Sequence, residues 1–190
     1  MRPARWISFA VPLPALIIIL LAARAAPAEP TTAPATQGAT KSYTFRGHTV
    51  TYPQSWRLRE KVGGAGPATI YKPAAGGAAD ALEAIWDFDR KTDRAKRTAE
   101  QIRDDVTEAL ATTMKGFKLK DKSTLTIDNK PAAAVTFEHA TVDPPAVSRH
   151  VFLPTGDGFV LVIDETAVAN QWPAAGPQLD AITRSLRLPR

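Results

Sequence analysis

The chain has 190 residues, no cysteine, and a formal charge of +5 from 24 Lys and Arg against 19 Asp and Glu. That length suits one domain with additions. The missing cysteines exclude disulfides, thiolate metal sites, a cysteine nucleophile and a lipidated N-terminal cysteine. Three basic residues, Arg2, Arg5 and Arg24, lie in the first 28 positions, which carry no acid; the other 21 basic and 19 acidic side chains are dispersed. The concentrated basic face of a nucleic-acid binder is therefore not expected.

Arg2 and Arg5 precede an uncharged run from Trp6 to Ala23, followed by small residues in ARAAPA. Residues 1–28 thus have the layout of a signal peptide, with A-x-A cleavage expected after Ala25 or Ala28. The alternative is an uncleaved membrane anchor, the one case in which a membrane is a partner. The 18 uncharged residues fall at the short end of the ~20 that span a hydrocarbon core. Pro12 and Pro14 also weaken a continuous helix. On both readings the rest of the chain is exported, and is periplasmic or secreted if the leader is removed. Residues 29–40, EPTTAPATQGAT, cannot build a core and read as a flexible linker. A single domain is expected over 41–190.

Ser42 to Phe45 and Thr49 to Tyr52 read as hairpin strands around Arg46, Gly47 and His48, with Gly47 supplying a positive φ. Pro53 ends the second strand because it has no N–H to donate. The chain turns at Gln54 and Ser55, and Trp56 resumes an extended path. Tyr52, Pro53 and Trp56 raise two options, a ligand platform or the closure of one end of a core. Closure is expected, since no further aromatic or polar anchor lies near them in sequence. ATIYK at 68–72 reads as a strand between the glycine-bearing loops 63–67 and 73–80. In ALEAIWDF at 81–88, Leu82, Ala84, Trp86 and Phe88 alternate with polar residues, as in a strand with one buried side.

Ala99, Ile102, Val106, Ala109, Leu110 and Met114 form one apolar helical stripe. Thr98 and Gln101 match a capping box, Gly116 suits a left-handed cap, and a start as early as Asp93 is open. Glu100, Arg103, Asp104 and Glu108 read as a solvated face. Strands are then expected at Phe117 to Leu119, Ser123 to Ile127, Ala132 to Glu138, Val147 to Leu153 and Phe159 to Ile163. Turns fall at 128–131 and 154–158. A closing helix is expected from Pro177 to Leu186, with Pro177 in its first turn and Leu179, Ile182 and Leu186 facing inward. Short connections imply antiparallel pairing. The fold class is α+β, an antiparallel β-sheet flanked by helices.

The chain shows no constellation that carries chemistry. His48, His139 and His150 are the three histidines, without HxH or HxxxH spacing, and read as surface or satisfied core residues. His48 is expected to be exposed. Asp87, Asp89 and Asp93 lack the glycine and terminal glutamate of a calcium loop and sit among Arg90, Lys91 and Arg94. The glycine loops lack the Lys-Ser/Thr ending of a phosphate cradle. No serine among Ser8, Ser42, Ser55, Ser123, Ser148 and Ser185 lies in a GxSxG elbow; a triad assembled in space stays open. No catalytic residue, metal ligand or cofactor is assigned, and the binding residues are unknown.

The stretch YTFRGHTVTYPQSW, with its Y-P-x-x-W signature, resembles the start of PsbP-like domains, a family that includes exported DcrB-like relatives. The later order is also similar: AIWDF, the helix TAEQIRDDVTEALATTMKGF, DNKPAAAVTFE, HVFLPTGDGFVLVID and LDAITRSLRL. The resemblance spans about residues 41 to 188 and implies an α/β/α sandwich used for binding and scaffolding, without catalytic residues. The photosystem role of that family's best-known member does not carry over, because its interaction residues have no match here. The expected function is a non-enzymatic exported domain that binds a protein or envelope partner. An envelope hydrolase with a spatially assembled site and a carrier of a small apolar ligand are the alternatives.

Overall fold

Two-residue turns organise the strands on either side of the first helix. The computed structural model describes residues 39–60, 68–73, 80–87, 96–155 and 159–189. The expected leader and most of the linker, the loops at 61–67 and 74–79, the segment 88–95 with Asp89 and Asp93, and the tip of the 154–158 turn lie outside these residues. Strands β1 (Thr40–Phe45) and β2 (His48–Pro53) pair as a hairpin across Arg46 and Gly47. Both turn residues have positive φ, 50° and 81°, the geometry of a tight primed turn. His48 therefore lies in a strand opposite Phe45 and is half-buried, not exposed in the turn.

The main sheet has seven strands in the order β3-β4-β5-β9-β8-β7-β6. They are β3 (Arg57–Arg59), β4 (Thr69–Lys72), β5 (Asp80–Asp87), β6 (Lys118–Ile127), β7 (Lys130–His139), β8 (Ala146–Pro154) and β9 (Val160–Val168), and every neighbouring pair is antiparallel. Asp128 and Asn129, with φ 46° and 63°, make the β6–β7 connection another two-residue turn. Lys130 and Pro131, expected in that turn, already belong to β7. The two strands expected within 117–127 are one, β6, with a register shift between Leu119 and Asp121. A bulge of this kind leaves one extra residue unpaired and hides the continuity of the strand from a periodicity count.

Helix α1 (Ala99–Thr113) covers one face of the sheet, where Ile102 packs with Val135, Phe137, Phe152 and Val160. Its start is fixed by the expected capping box: Thr98 Oγ1 accepts from the Gln101 N–H, and Gln101 Oε1 from the Thr98 N–H. Its end differs. Met114 is the cap and is extended, so Gly116, at φ 70°, serves the turn into β6 instead. Ala109, expected in the buried stripe, is exposed, and Thr107 is buried. The polar face is more than solvated: Arg103 donates to Ser123 O at 3.2 Å, and Lys122 pairs with Asp104 at 2.9 Å. Together they tie α1 to the edge strand.

Helix α2 (Trp172–Arg184) covers the opposite face. It starts five residues before the expected Pro177, because Pro173 takes the first-turn position that tolerates a missing N–H; Pro177 lies inside the helix. Leu179, Ile182 and Leu186 do point inward, against Ile127, Val151, Leu153, Leu161 and Ile163. Each such burial contributes about 1.5–3 kcal/mol. The β1–β2 hairpin docks on the end of α2: the Thr51 N–H donates to Ser185 Oγ at 2.8 Å, and that hydroxyl donates to Thr51 O at 2.9 Å. Trp56, 1% exposed, and Tyr52 join this core, so the Tyr52–Trp56 cluster closes it as expected. The layers are helix, sheet, and helix with hairpin.

Candidate binding groove

Alternation along the strands carries one row of polar residues across the α2 side of the sheet. The register aligns Asp121, Thr136, Arg149 and Glu165 on β6, β7, β8 and β9. The β6 bulge sits next to the start of this row. Lys120 is the extra residue, and both Lys120 and Asp121 line the same groove, where regular alternation would separate them.

Arg149 is the centre of the row. One Nη2 lies 2.7 Å from Glu165 Oε1 and 2.7 Å from Asp180 Oδ1 of α2. Glu165 has no exposed surface, and its Oε1 also accepts from the Thr183 hydroxyl. Burial pushes the Glu165 carboxyl above the usual range, against the pull of the Arg149 guanidinium and the Thr183 hydroxyl. Burial also raises Asp180, but hydrogen bonds from Arg184 and Arg149 outweigh it and hold that carboxyl below its ordinary value. Arg149 Nε and Glu165 Oε2 are buried without a hydrogen-bond partner among the described residues. The row is thus fixed by ion pairs yet keeps unmatched polar capacity.

Above the row lies an open groove of about 600 Å³, lined by Lys120, Asp121, Thr136 and Arg149 from the sheet and by Trp172, Pro173, Gly176, Pro177 and Asp180 from α2. This volume falls in the roughly 300–1,000 Å³ range of small-ligand sites. Its charged lining is balanced, with Lys120 and Arg149 against Asp121 and Asp180. The Trp172 indole lies across Gly176, where an added Cβ would meet ring atoms at 3.1 to 3.4 Å.

The opposite face holds a second polar group. Thr141 Oγ1 contacts His139 Nδ1 at 2.7 Å, His139 Nε2 contacts Ser148 Oγ at 3.1 Å, and Ser148 Oγ contacts Thr166 Oγ1 at 2.7 Å. Thr166 donates to Asp164, which lies 3.4 Å from His150 Nε2. Burial lowers the His139 pKa, so the ring is neutral near pH 7. A neutral histidine beside a serine hydroxyl has the spacing of a base and nucleophile. The third partner of the ring, however, is a threonine hydroxyl, and Ser148 is 4% exposed and held from both sides. The arrangement satisfies buried hydroxyls and presents no nucleophile to a substrate. His48 lies apart in the hairpin, and among the described residues no three His, Asp or Glu side chains are grouped to hold a metal ion.

Sequence reasoning named none of the groove residues as binding residues. One signal was available: Arg149 in AVSRHVF and Glu165 in VLVIDETAV interrupt apolar runs at positions in phase with buried Val151 and Ile163.

No family model and no curated protein matches the chain. Solved structures do. PsbP of the cyanobacterium Synechocystis sp. PCC 6803 aligns with TM-score 0.57 and 14% identity over 84% of this chain and 99% of its own. LpqN of Mycobacterium tuberculosis, involved in cell envelope biogenesis, aligns with TM-score 0.59 and 15% identity over 80% of this chain and 91% of its own. A Pseudomonas aeruginosa protein of unknown function, PA94, aligns with TM-score 0.55 and 18% identity over 80% and 99%. At these identities the likeness shows the fold alone, and the fold is PsbP-like α+β. Among the described residues no helix is long and apolar enough to cross a membrane.

Proposed function

We propose that the chain is an exported, non-enzymatic domain that binds a protein or envelope partner through the groove between α2 and the β6 bulge. The observation that carries this reading is the polar row under α2: Arg149 is held by two carboxylates beneath an open groove whose rim the bulge supplies with Lys120 and Asp121. Side chains fixed before a partner arrives lose little entropy on binding, which favours recognition. The involvement of LpqN in cell envelope biogenesis is in keeping with an envelope setting. A hydrolase reading would need Ser148 accessible. An apolar-carrier reading would need space where Leu179, Ile182, Val151 and Leu153 are buried together.

The test is photo-crosslinking in the native cell from a benzoylphenylalanine placed at Lys120, with Glu108 on the exposed side of α1 as control. A discrete adduct from position 120 and none from 108 is expected. Equal labelling from both, or none from 120, overturns the groove as the binding surface.

A further inference from the structure

Resting on the groove reading above, we infer that the ligand class of this site is a neutral saccharide, with the Trp172 indole as platform and Lys120, Asp121, Thr136, Arg149 and Asp180 as partners for ring hydroxyls.

The first argument is charge. Arg149 is matched by Glu165 and Asp180, and Lys120 by Glu138 at 3.4 Å, so the cations of the groove are already compensated and offer no strong field for a phosphate, an acidic peptide or a polycation. A charged ligand that satisfied one pair would stand against the other. A hydroxyl has no such conflict. It donates to a carboxylate and accepts from a guanidinium or ammonium, and neighbouring ring hydroxyls can do both at once.

The second argument is shape. Gly176 lets the indole lie against the helix backbone, since any Cβ there would meet the ring within 3.4 Å. Trp172, Pro173 and Pro177 of α2 supply apolar lining to the groove, and Lys120, Asp121, Thr136 and Arg149 of the sheet supply polar lining. A sugar ring has the matching division, with an apolar C–H face and a polar hydroxyl rim; amphipathic aromatics suit such mixed contacts. The third argument is order. Asp180 is held by both Arg149 and Arg184, and Arg149 by both Glu165 and Asp180, so the polar groups are fixed in place. Recognition of hydroxyls by fixed groups is selective, because an analogue that lacks the hydroxyl leaves them unpaired.

The experiment follows the Trp172 indole N–H by NMR in the full chain, assigned through Trp172→Phe. Chitotriose, maltotriose and cellotriose are titrated, with inorganic phosphate and an oligoproline peptide as contrasts. At least one trisaccharide is expected to give a saturable shift, while phosphate and oligoproline leave the signal in place. Asp121 is exposed, so Asp121→Ala leaves the fold intact and is expected to weaken that binding about tenfold, the loss of roughly one hydrogen bond to a charged group. No shift from any of the three sugars, or a shift by phosphate or oligoproline in their place, overturns the saccharide assignment; so does a sugar shift that Asp121→Ala leaves unchanged. If the cross-link from position 120 persists in that case, the groove reading stands. If it is absent too, both fall.

Discussion

Arg149 donates to Glu165 at 2.7 Å beneath α2, and Glu165 has no exposed surface. A buried pair of this kind behaves differently when halved and when removed whole. Taking away one partner leaves an uncompensated buried charge, at a cost of about 3–5 kcal/mol. Replacing both by apolar groups of similar size is often close to neutral. Arg149→Ala is therefore expected to lose several kcal/mol in urea denaturation, and Arg149→Met combined with Glu165→Leu to recover most of it. A single variant that costs under about 1 kcal/mol would mean that the pair is solvated, since exposed pairs contribute no more than that.

Gly116 and Gly176 make a contrast that denaturation can also resolve. At Gly116, φ is 70°, and an added Cβ would lie 2.8 Å from the Ala140 Cβ. Gly116→Ala thus meets both backbone strain and a clash, and a loss of about 1–3 kcal/mol is expected. At Gly176 the backbone is helical and the obstacle is the Trp172 ring. The helix propensity gained by alanine, about 1 kcal/mol, offsets the push on the indole, so Gly176→Ala is expected to be near neutral in stability while changing Trp172 fluorescence. Equal losses at both sites would contradict this contrast.

What could be read from the sequence follows from how each feature is encoded. The α1 stripe apart from Ala109, its capping box and the Tyr52–Trp56 closure are local patterns of apolar and capping residues, and the structure keeps them. The β6 bulge lies in KLKDK, where an edge strand needs no apolar alternation, so no period marks it. The expected start of α2 at Pro177 falls five residues late, because Pro173 occupies the first turn and Pro177 lies in the interior. The groove was out of reach for a different reason. Its members come from β6, β7, β8 and α2, and only the antiparallel register brings Asp121, Thr136, Arg149 and Glu165 into one row.

His139 gives the fold an acid-side dependence of definite sign. Burial lowers its native pKa, with His150 adding to the effect and Asp164 opposing it. The unfolded chain, with a histidine pKa of about 6.5, then takes up the proton first as pH falls. Stability is unaffected by this group above about pH 6.5 and declines below it, until the depressed native value is passed. His139→Gln keeps a side chain able to meet Ser148 and removes the titration. Thermal melts of the two proteins are expected to run parallel above neutrality and to diverge as pH falls from about 6.5. Parallel behaviour down to the carboxylate range would show that His139 titrates normally.

Trp56 and Trp172 separate fold from binding within one residue type. Trp56 is 1% exposed and packs with Tyr52 in the core beneath α2, whereas Trp172 is half-buried and lines the groove. Trp56→Ala opens a cavity in close-packed surroundings and is expected to cost about 3–5 kcal/mol. Trp56→Phe, which keeps much of the volume, should cost less and leave partner cross-linking from position 120 unchanged. Trp172 also packs against that core but is half-buried, so Trp172→Ala is expected to lose clearly less stability than Trp56→Ala and to lose the cross-link. Denaturation midpoints and adduct yields measured on the same three variants decide the matter. A Trp172→Ala protein that unfolds as readily as Trp56→Ala would make Trp172 a core residue and remove the platform from the groove.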